Sequence, residues 1–216
     1  MSRIIVDLSH PLDDSTVTYP GDPVHYSCCN AEGKGFSLER NEGANLHSLS
    51  IGTHTGTHID APGTSCLMIV RSRQQVEWHD LQPFHDHIAR AGATKSALVL
   101  RTGWSKHWNS LSEYRAHPFL SGDCALQIVA AGIRVIGLDT FSPDETPLPD
   151  GPLTAADAHV ALLGAGIPIA ENLRLDDLDG VWTQEDDDAG RWTISLLPLR
   201  LTALDGSPIR AVAWRG

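Results

Sequence analysis

The segment 54–62, His-Thr-Gly-Thr-His-Ile-Asp-Ala-Pro, carries three side chains that could bind a metal ion. His54, His58 and Asp60 fall within seven residues, and two imidazoles with one carboxylate suit a divalent ion such as Zn²⁺, Mn²⁺ or Fe²⁺. Three protein ligands leave coordination positions open for water, which a catalytic metal requires. The spacing therefore predicts a catalytic metal site. The alternative is that these are ordinary strand and turn residues.

The residues around these ligands predict that they lie on a strand. Threonine at positions 53, 55 and 57, with glycine at 52 and 56, makes a poor helix. In an extended chain alternate side chains share one face, so His54, His58 and Asp60 would point the same way, and Gly56 would leave room between them. The alternation of residues 46–51 predicts that a longer strand runs into the motif inside a sheet, which would preorganise the ligands.

The composition indicates one soluble domain that covers residues 1–216. Hydrophobic residues make up 41% of the chain, and the formal net charge of −11 argues against nucleic acid or an anionic membrane as a partner. No apolar run reaches the length of a membrane span and no signal-type segment follows Met1, so a cytoplasmic location is expected. The four cysteines form no Cys-x-x-Cys pair, which predicts reduced thiols.

Strands interrupted by a few helices in an irregular order predict a mixed α/β sheet rather than a doubly wound one. The predicted strands are 4–8, 66–70, 96–101, 135–139, 192–199 and 209–214, the first of them buried and the last two forming a hairpin. The predicted helices are 81–91, ended by Gly92, then 122–131, and one from Thr154, as its N-cap, to residue 163. Residues 31–43 are predicted to be an exposed loop or hairpin, and residues 176–188 an acidic surface segment.

Four further residues are candidates for the site. Trp104 follows a predicted strand, at the end where open α/β sheets place ligands, although plain packing explains a tryptophan there equally well. Tyr19 lies in a loop that two prolines make rigid, and it could present its ring to a pocket or only shape the turn. Ser142 lies in a polar loop after another predicted strand. His10, just after the first strand, could face a site or be structural.

The pattern His54-x-Gly56-Thr57-His58-x-Asp60-x-Pro62 resembles the signature of the metal-dependent cyclase family, which includes bacterial kynurenine formamidases and isatin hydrolases. Further matches occur in the same order along nearly the whole chain, at residues 7–10, 19–23, 101–104, 137–139, 142, 144, 159 and 166–173.

The resemblance implies a mixed-sheet α/β structure of the swivelling β/β/α type, assembled as a homodimer or homotetramer. It also implies that His54, His58 and Asp60 are metal ligands, with a second set from His159 and Glu171. One or two ions, Zn²⁺ or Mn²⁺, would bind there.

The chain departs from the family pattern directly after the motif. The family motif continues to a histidine regarded as the proton shuttle or general acid/base, and this chain has Thr64 there. The pocket-lining loop that usually follows is also missing, because the apolar run 66–70 begins at once. A threonine hydroxyl shuttles protons poorly near neutral pH, and losing a general acid/base costs about 10²- to 10⁴-fold in rate. The candidate catalytic positions are therefore Asp60, His10 and Thr64 itself, with His47 as another group that could take over.

We predict a divalent-metal-dependent hydrolase that cleaves a C–N bond in a small amide, an N-formyl aryl amine, or a cyclic imide or lactam. The metal would supply a water nucleophile near neutral pH, and Tyr19, Trp104 and Ser142 would contact the small-molecule substrate. Two alternatives stay open. The metal could instead promote cyclisation, dehydration or isomerisation of a small metabolite, or the chain could be a catalytically degenerate binding protein of the same fold.

Overall fold

The computed structural model describes residues 4–12, 16, 24–27, 48–51, 54–59, 67–69, 75–147, 154–179, 181, 192–200 and 205–215. Within them the strands are β1 (Ile4–Asp7), β2 (Val24–Ser27), β3 (Ser48–Ile51), β4 (His58–Ile59), β5 (Leu67–Ile69), β6 (Gln75–Val76), β7 (Ala97–Arg101), β8 (Phe119–Leu120), β9 (Val135–Leu138), β10 (Ile169–Glu171), β11 (Trp192–Pro198) and β12 (Ser207–Arg215). The α-helices are α1 (His85–Thr94), α2 (Leu111–Tyr114), α3 (Gly122–Ala130) and α4 (Asp157–Gly164), and 3₁₀ helices cover Trp78–Phe84, Ser105–His107 and Leu175–Leu178. No helix in this part of the chain is long and apolar enough to cross a membrane. The predicted loop 31–43 and most of the acidic segment 176–188 lie outside the described residues.

Among the described residues, eight strands form one mixed sheet, which confirms the predicted mixed α/β fold. Its strands follow the order β1-β12-β4-β10-β9-β7-β5, and β11 also pairs with β12. Strands β5, β7, β9 and β10 run parallel, whereas β4, β12, β11 and β1 are joined by antiparallel pairs. Strand β4 therefore lies between the parallel and the antiparallel halves, and it places His58 at the centre of the sheet.

The central parallel strands are buried on both faces, as expected for strands with packed layers on each side. In β7, Leu98 and Leu100 pack into a core with helices α1, α3 and α4. The alternate residues Ala97 and Val99 pack into a second core with strands β11 and β12. The packed central strands hold the loops at the carboxyl ends of β9 and β10 in fixed positions, and those loops carry most of the site described below.

Most predicted elements of the sheet are confirmed within two residues: strands 66–70, 96–101, 135–139, 192–199 and 209–214 correspond to β5, β7, β9, β11 and β12, and helix 122–131 to α3. The prediction of a fully buried first strand is wrong. In β1, Ile5 is 64% exposed, while Val6 and the following Leu8 are buried. Because side chains alternate between the two faces of a strand, this pattern shows that only one face of β1 is covered.

The sequence predicts that Gly92 ends the first helix, and this is wrong. Helix α1 passes through Gly92 and ends at Thr94, and the next residue, Lys95, has a φ of 56°. The reason is a close approach between helices. A Cβ atom at residue 92 would overlap the carbonyl oxygen of Ala131, which follows α3. The glycine is therefore needed where these two backbones meet, and the turn is made three residues later.

Replacing Gly92 by Ala is expected to lower the free energy of unfolding by about 1–3 kcal/mol, because the backbones must separate to admit the methyl group. Urea denaturation of the purified variant measures this change. Gly164→Ala is the matched control: its Cβ would meet nothing within 4 Å at the end of α4, and alanine is the better helix former. Equal stability of the two variants would contradict the assignment of a close helix contact.

Candidate active site

The motif segment is a turn followed by a very short strand, so the prediction of a continuous strand over residues 54–60 is wrong. Residues 54–57 form turn and bend conformations, and only β4 is extended. Gly56 has φ +66°, which interrupts an extended ladder, and a Cβ there would overlap the side chain of Leu12. Strand β3 does not continue into the sheet that contains β4; it pairs with β2 in a separate two-stranded sheet.

Strand pairing brings the two predicted ligand sets together. His58 on β4 lies directly opposite Glu171 on the antiparallel strand β10. The side chains meet, with 3.2 Å between His58 Nε2 and Glu171 Oε2, and they are only 2% and 7% exposed. The two residues are far apart in sequence, so their contact depends entirely on the order of strands in the sheet.

The hydrogen bond at its other ring nitrogen fixes the orientation of His58. Nδ1 lies 2.9 Å from the carbonyl oxygen of Gly56. A carbonyl oxygen only accepts hydrogen bonds, so Nδ1 carries a proton, and in the neutral ring Nε2 is the nitrogen left to bind a metal. A backbone carbonyl that holds the remote nitrogen of a histidine is a common support for a metal ligand.

His159 is oriented in the same way by Asp144. Oδ2 of this carboxylate accepts from the His159 backbone N–H at 3.0 Å and lies 2.6 Å from ring atom Nδ1. Nδ1 is therefore the donor, and Nε2, the nitrogen left to bind a metal in the neutral ring, is 3.5 Å from Glu171 Oε1. Both imidazoles thus direct Nε2 toward the same buried carboxylate.

The Asp144 side chain also caps the N-terminus of helix α4, so the prediction of Thr154 as the N-cap is wrong. Its Oδ1 accepts from the backbone N–H of Ala158 at 2.7 Å, so one carboxylate serves two donors of the first turn. Thr154 does not cap the helix; its hydroxyl donates to the carbonyl of Glu145 at 2.5 Å, and α4 begins at Asp157. The cap is supplied from thirteen residues before the helix, where a local sequence pattern gives no signal of it.

The chemistry of these donors fits a divalent metal ion. Glu171 Oε1 is buried and has no hydrogen bond among the described residues, which is costly for a carboxylate unless a cation approaches it. Two ligands at about 2.1 Å on a tetrahedral ion are about 3.4 Å apart, close to the observed 3.2 and 3.5 Å. Within the described part of the chain, no three histidine, cysteine or acidic side chains converge closely enough to hold an ion by themselves, although His58 and His159 each approach a different oxygen of Glu171. Asp60, the third residue of the motif, lies outside that part.

His54, the first histidine of the motif, lies beside the His58–Glu171 contact and takes no part in it. Its ring meets that of His58 edge to face, with 5.0 Å between centroids. Its Nε2 is 3.5 Å from a carboxylate oxygen of Asp205, and its side chain is 36% exposed. The structure therefore brings His58, His159 and Glu171 together, with His54 at the rim.

A cavity of about 300 Å³ opens next to these residues. Its lining includes His54, His58, His159 and Glu171, together with Phe141, Ser142, Asp144, Glu145, Thr146, Thr154, Ala155, Ala156 and Asn172. The predicted contact residue Ser142 is thus at the cavity. The sequence did not point to Phe141 or Thr146, because neither stands in a pattern that carries chemistry.

Trp104 does not line this cavity. It is buried in an aromatic cluster with Trp108, Tyr114 and Phe141, and its indole N–H donates to the carbonyl oxygens of Glu113 and Tyr114. Of the two alternatives for Trp104, packing describes its position better than a pocket wall does. Phe141 is the cluster member that reaches the cavity.

Asn172, which follows Glu171, connects the motif turn to the rest of the site. Its backbone has φ +55°, a conformation that asparagine tolerates better than most residues. Its Nδ2 donates to Gly56 O at 3.2 Å, the carbonyl that also holds His58, and its Oδ1 accepts from the Tyr114 hydroxyl at 3.0 Å. The orientation of His58 therefore depends on a hydrogen-bonded chain that reaches the aromatic cluster.

His10, a predicted catalytic position, lies beside a different cavity of about 380 Å³, which it shares with Arg174. Its ring stacks on Trp108 with 4.0 Å between centroids. Burial, with a smaller contribution from the Arg174 guanidinium, lowers the pKa of His10 from 6.5 to about 4. His10 is therefore neutral at pH 7. Asp60, Thr64 and Tyr19 lie outside the described residues, and their roles stay predictions.

The pKa of His10 predicts a pH dependence of stability. Because the folded state lowers this pKa, the unfolded chain takes up the proton first, and the protein loses stability as pH falls from about 6.5 toward 4, by up to about 3 kcal/mol. His10→Phe keeps the aromatic stack but cannot titrate, so its stability should fall less over this range. Urea denaturation at pH 7 and pH 4.5 measures the difference, with the exposed His79→Asn as control. Parallel losses in all three proteins would contradict the assignment.

Comparison with known proteins agrees with this fold. The sequence model of the family described as "Putative cyclase" matches residues 6–69 and 65–145. The two matches meet just after the motif, where the sequence suggests a missing loop. Proteins named kynurenine formamidase from Bacillus cereus and Bacillus cytotoxicus are each 32% identical to this chain, over 96% of it and 95% of their own length.

Solved structures show the same architecture. Isatin hydrolase A from Ralstonia solanacearum superposes with a TM-score of 0.74 at 19% identity, covering 99% of this chain and 92% of that chain. A "predicted metal-dependent hydrolase" from Bacillus stearothermophilus superposes with a TM-score of 0.68 at 18% identity, covering 99% of both chains. These likenesses confirm the expected fold.

Proposed function

This chain belongs to the cyclase family, and from that premise we propose that it is a divalent-metal-dependent hydrolase of a C–N bond in a small amide, an N-formyl aryl amine, or a cyclic imide or lactam. One observation carries the proposal. His58 and His159, each held at Nδ1, direct Nε2 toward the buried carboxylate of Glu171 at the edge of a cavity. Relatives named kynurenine formamidase support the substrate class.

His58, His159 and Glu171 would hold the ion, and the motif residues His54 and Asp60 would complete its ligands. A bound divalent ion polarises a carbonyl group and lowers the pKa of a water molecule toward neutrality. We propose Zn²⁺ or Mn²⁺, in one or two ions, because two imidazoles with carboxylates suit both metals. His58 and His159 each approach a different oxygen of Glu171, and this arrangement could hold one ion or two.

The cavity wall would position the substrate through Ser142 and Phe141. Ser142 Oγ accepts from the backbone N–H of Asp144 at 3.1 Å, and its own hydrogen is not donated to any described residue. It is therefore able to donate to the carbonyl oxygen of an amide. The Phe141 ring supplies an apolar surface for an aryl group.

Proton transfer would fall to a group near the motif, since Thr64 replaces the expected histidine. His10 is a weaker candidate after its placement, because it lies beside the other cavity and its low pKa makes it a poor proton acceptor near neutral pH. Asp60 is the candidate that we retain for proton transfer.

We also propose that the enzyme works in the cytoplasm as a homodimer or homotetramer.

The proposal is tested by hydrolysis of formanilide, a simple N-formyl aryl amine. We expect formate and aniline as products, a rate that falls about 100-fold or more after metal is removed with a chelator, and recovery when Zn²⁺ or Mn²⁺ is restored. Reaction in ¹⁸O-labelled water should place the label in formate. A formanilide reaction that is unaffected by metal removal would refute the metal-dependent mechanism. Turnover of other small metabolites without solvent oxygen in the product would favour cyclisation or dehydration instead.

A further inference from the structure

A histidine that plays no part in the metal site supports one wall of the cavity. His117 is buried, with its Nδ1 2.8 Å from the carbonyl oxygen of Pro118 and its Nε2 2.7 Å from the hydroxyl of Thr146. Burial lowers the pKa of His117, and this outweighs the opposing effects of the Pro118 hydrogen bond and the Glu171 and Asp144 charges. The ring is therefore neutral at pH 7 and carries one proton.

The position of that proton follows from the partners. The Pro118 carbonyl only accepts, so the ring proton is on Nδ1 and Nε2 must be an acceptor. Thr146 is then the donor in the second hydrogen bond, and its hydroxyl hydrogen points to His117. Because a hydroxyl has a single hydrogen, Thr146 Oγ1 has only lone pairs left for another partner.

Thr146 lines the same cavity as His58, His159 and Glu171. A hydroxyl usually turns to donate or to accept according to its ligand, but this one is held as an acceptor. Ser142, on the same cavity wall, has the opposite character, because its hydrogen is not used by any described residue. A planar amide carries one acceptor, its carbonyl oxygen, and one donor, its N–H, so the two hydroxyls match its two polar groups.

We propose that Thr146 accepts a hydrogen bond from the N–H of the substrate, and that His117 acts as the positioning residue that keeps its hydroxyl in this state. The cavity would thereby select amides, imides and lactams with a free N–H over compounds of the same shape that lack it. This inference rests on the proposed function for the identity of its substrates, but it concerns binding and not the chemical step.

Binding of oxindole and 2-indanone to the Zn²⁺-reconstituted protein tests the inference. The two compounds share a bicyclic shape and a carbonyl group, but 2-indanone has CH₂ in place of N–H. We expect the natural protein to bind oxindole roughly tenfold more tightly, as loss of one hydrogen bond predicts. Thr146→Val, which keeps the shape without the hydroxyl, should bring the two dissociation constants close together, and Thr146→Ser should keep the preference. Ligand-observed NMR measures both constants without requiring turnover.

A preference that survives in Thr146→Val, or that is absent from the natural protein, would overturn the inference. Thermal unfolding shows whether each variant is folded, and Thr146→Ser, which keeps the hydroxyl bonded to His117, controls for a change of side chain at this position. The proposed function fails separately. If binding depends on Thr146 but the protein never hydrolyses formanilide, the inference holds and the proposed function fails. If the protein shows metal-dependent hydrolysis but no preference for oxindole, the proposed function holds and the inference fails.

Discussion

Replacing His58 by Ala is expected to weaken divalent-metal binding by about 100-fold or more and to abolish metal-dependent hydrolysis. His58 directs Nε2 to Glu171 from the centre of the sheet, and its side chain is 2% exposed. Loss of residues that merely support a metal ligand already costs about 10- to 100-fold in affinity, so loss of a ligand itself should cost at least as much.

Competition with a chromogenic chelator measures this affinity for Zn²⁺ and Mn²⁺. His79→Ala is the control, because His79 is 77% exposed and lies outside the site; it should bind metal as the natural protein does. If His58→Ala bound metal as tightly as the control variant, the assignment of His58 as a ligand would be wrong. Circular dichroism of the variant shows whether the sheet is preserved.

Replacing Asp144 by Ala is expected to have two effects at once. The carboxylate accepts from two backbone N–H groups at the start of α4 and from the ring of His159. Its loss should lower the free energy of unfolding by about 0.5–2 kcal/mol, as for a helix cap. It should also weaken metal binding about 10- to 100-fold, because the His159 ring loses the partner that fixes its tautomer.

Thr154→Ala is the matched control for this prediction. Thr154 occupies the N-cap position that the sequence suggests, but in the structure it donates only to Glu145. Its replacement should leave metal affinity unchanged and cost less stability than Asp144→Ala. Urea denaturation measures the stability of both variants, and the chelator assay measures their metal affinity. A larger loss of metal affinity in Thr154→Ala than in Asp144→Ala would contradict the role given to Asp144.

The sequence points to candidate metal-binding side chains, but it predicts their geometry poorly. Histidine and carboxylate at short spacing are visible in residues 54–60, and apolar runs such as 97–100 predict the buried strands, because burial on both faces requires apolar residues throughout. The turn over residues 54–57 was missed because threonine and glycine fit a strand and a turn about equally, and the positive φ of Gly56 is decided by contacts with residues distant in sequence.

The remaining parts of the site depend on contacts between distant segments. The meeting of His58 with Glu171 follows from the pairing of β4 with β10, which no local pattern encodes. The role of Asp144 as a helix cap and the placement of Trp104 in the aromatic cluster are likewise set by tertiary packing. Family resemblance did associate His159 and Glu171 with the motif, because a family pattern retains the result of the fold without its geometry.

The most direct test of this account is the metal content of the folded protein, measured by elemental analysis after purification and again after reconstitution with Zn²⁺ or Mn²⁺ and removal of free metal. The arrangement of His58, His159 and Glu171 predicts one or two divalent ions per chain, bound in the natural protein and lost in His58→Ala. A folded natural protein that retains no metal in either measurement would contradict the central claim, and the cavity would then have to be regarded as a binding site without metal chemistry.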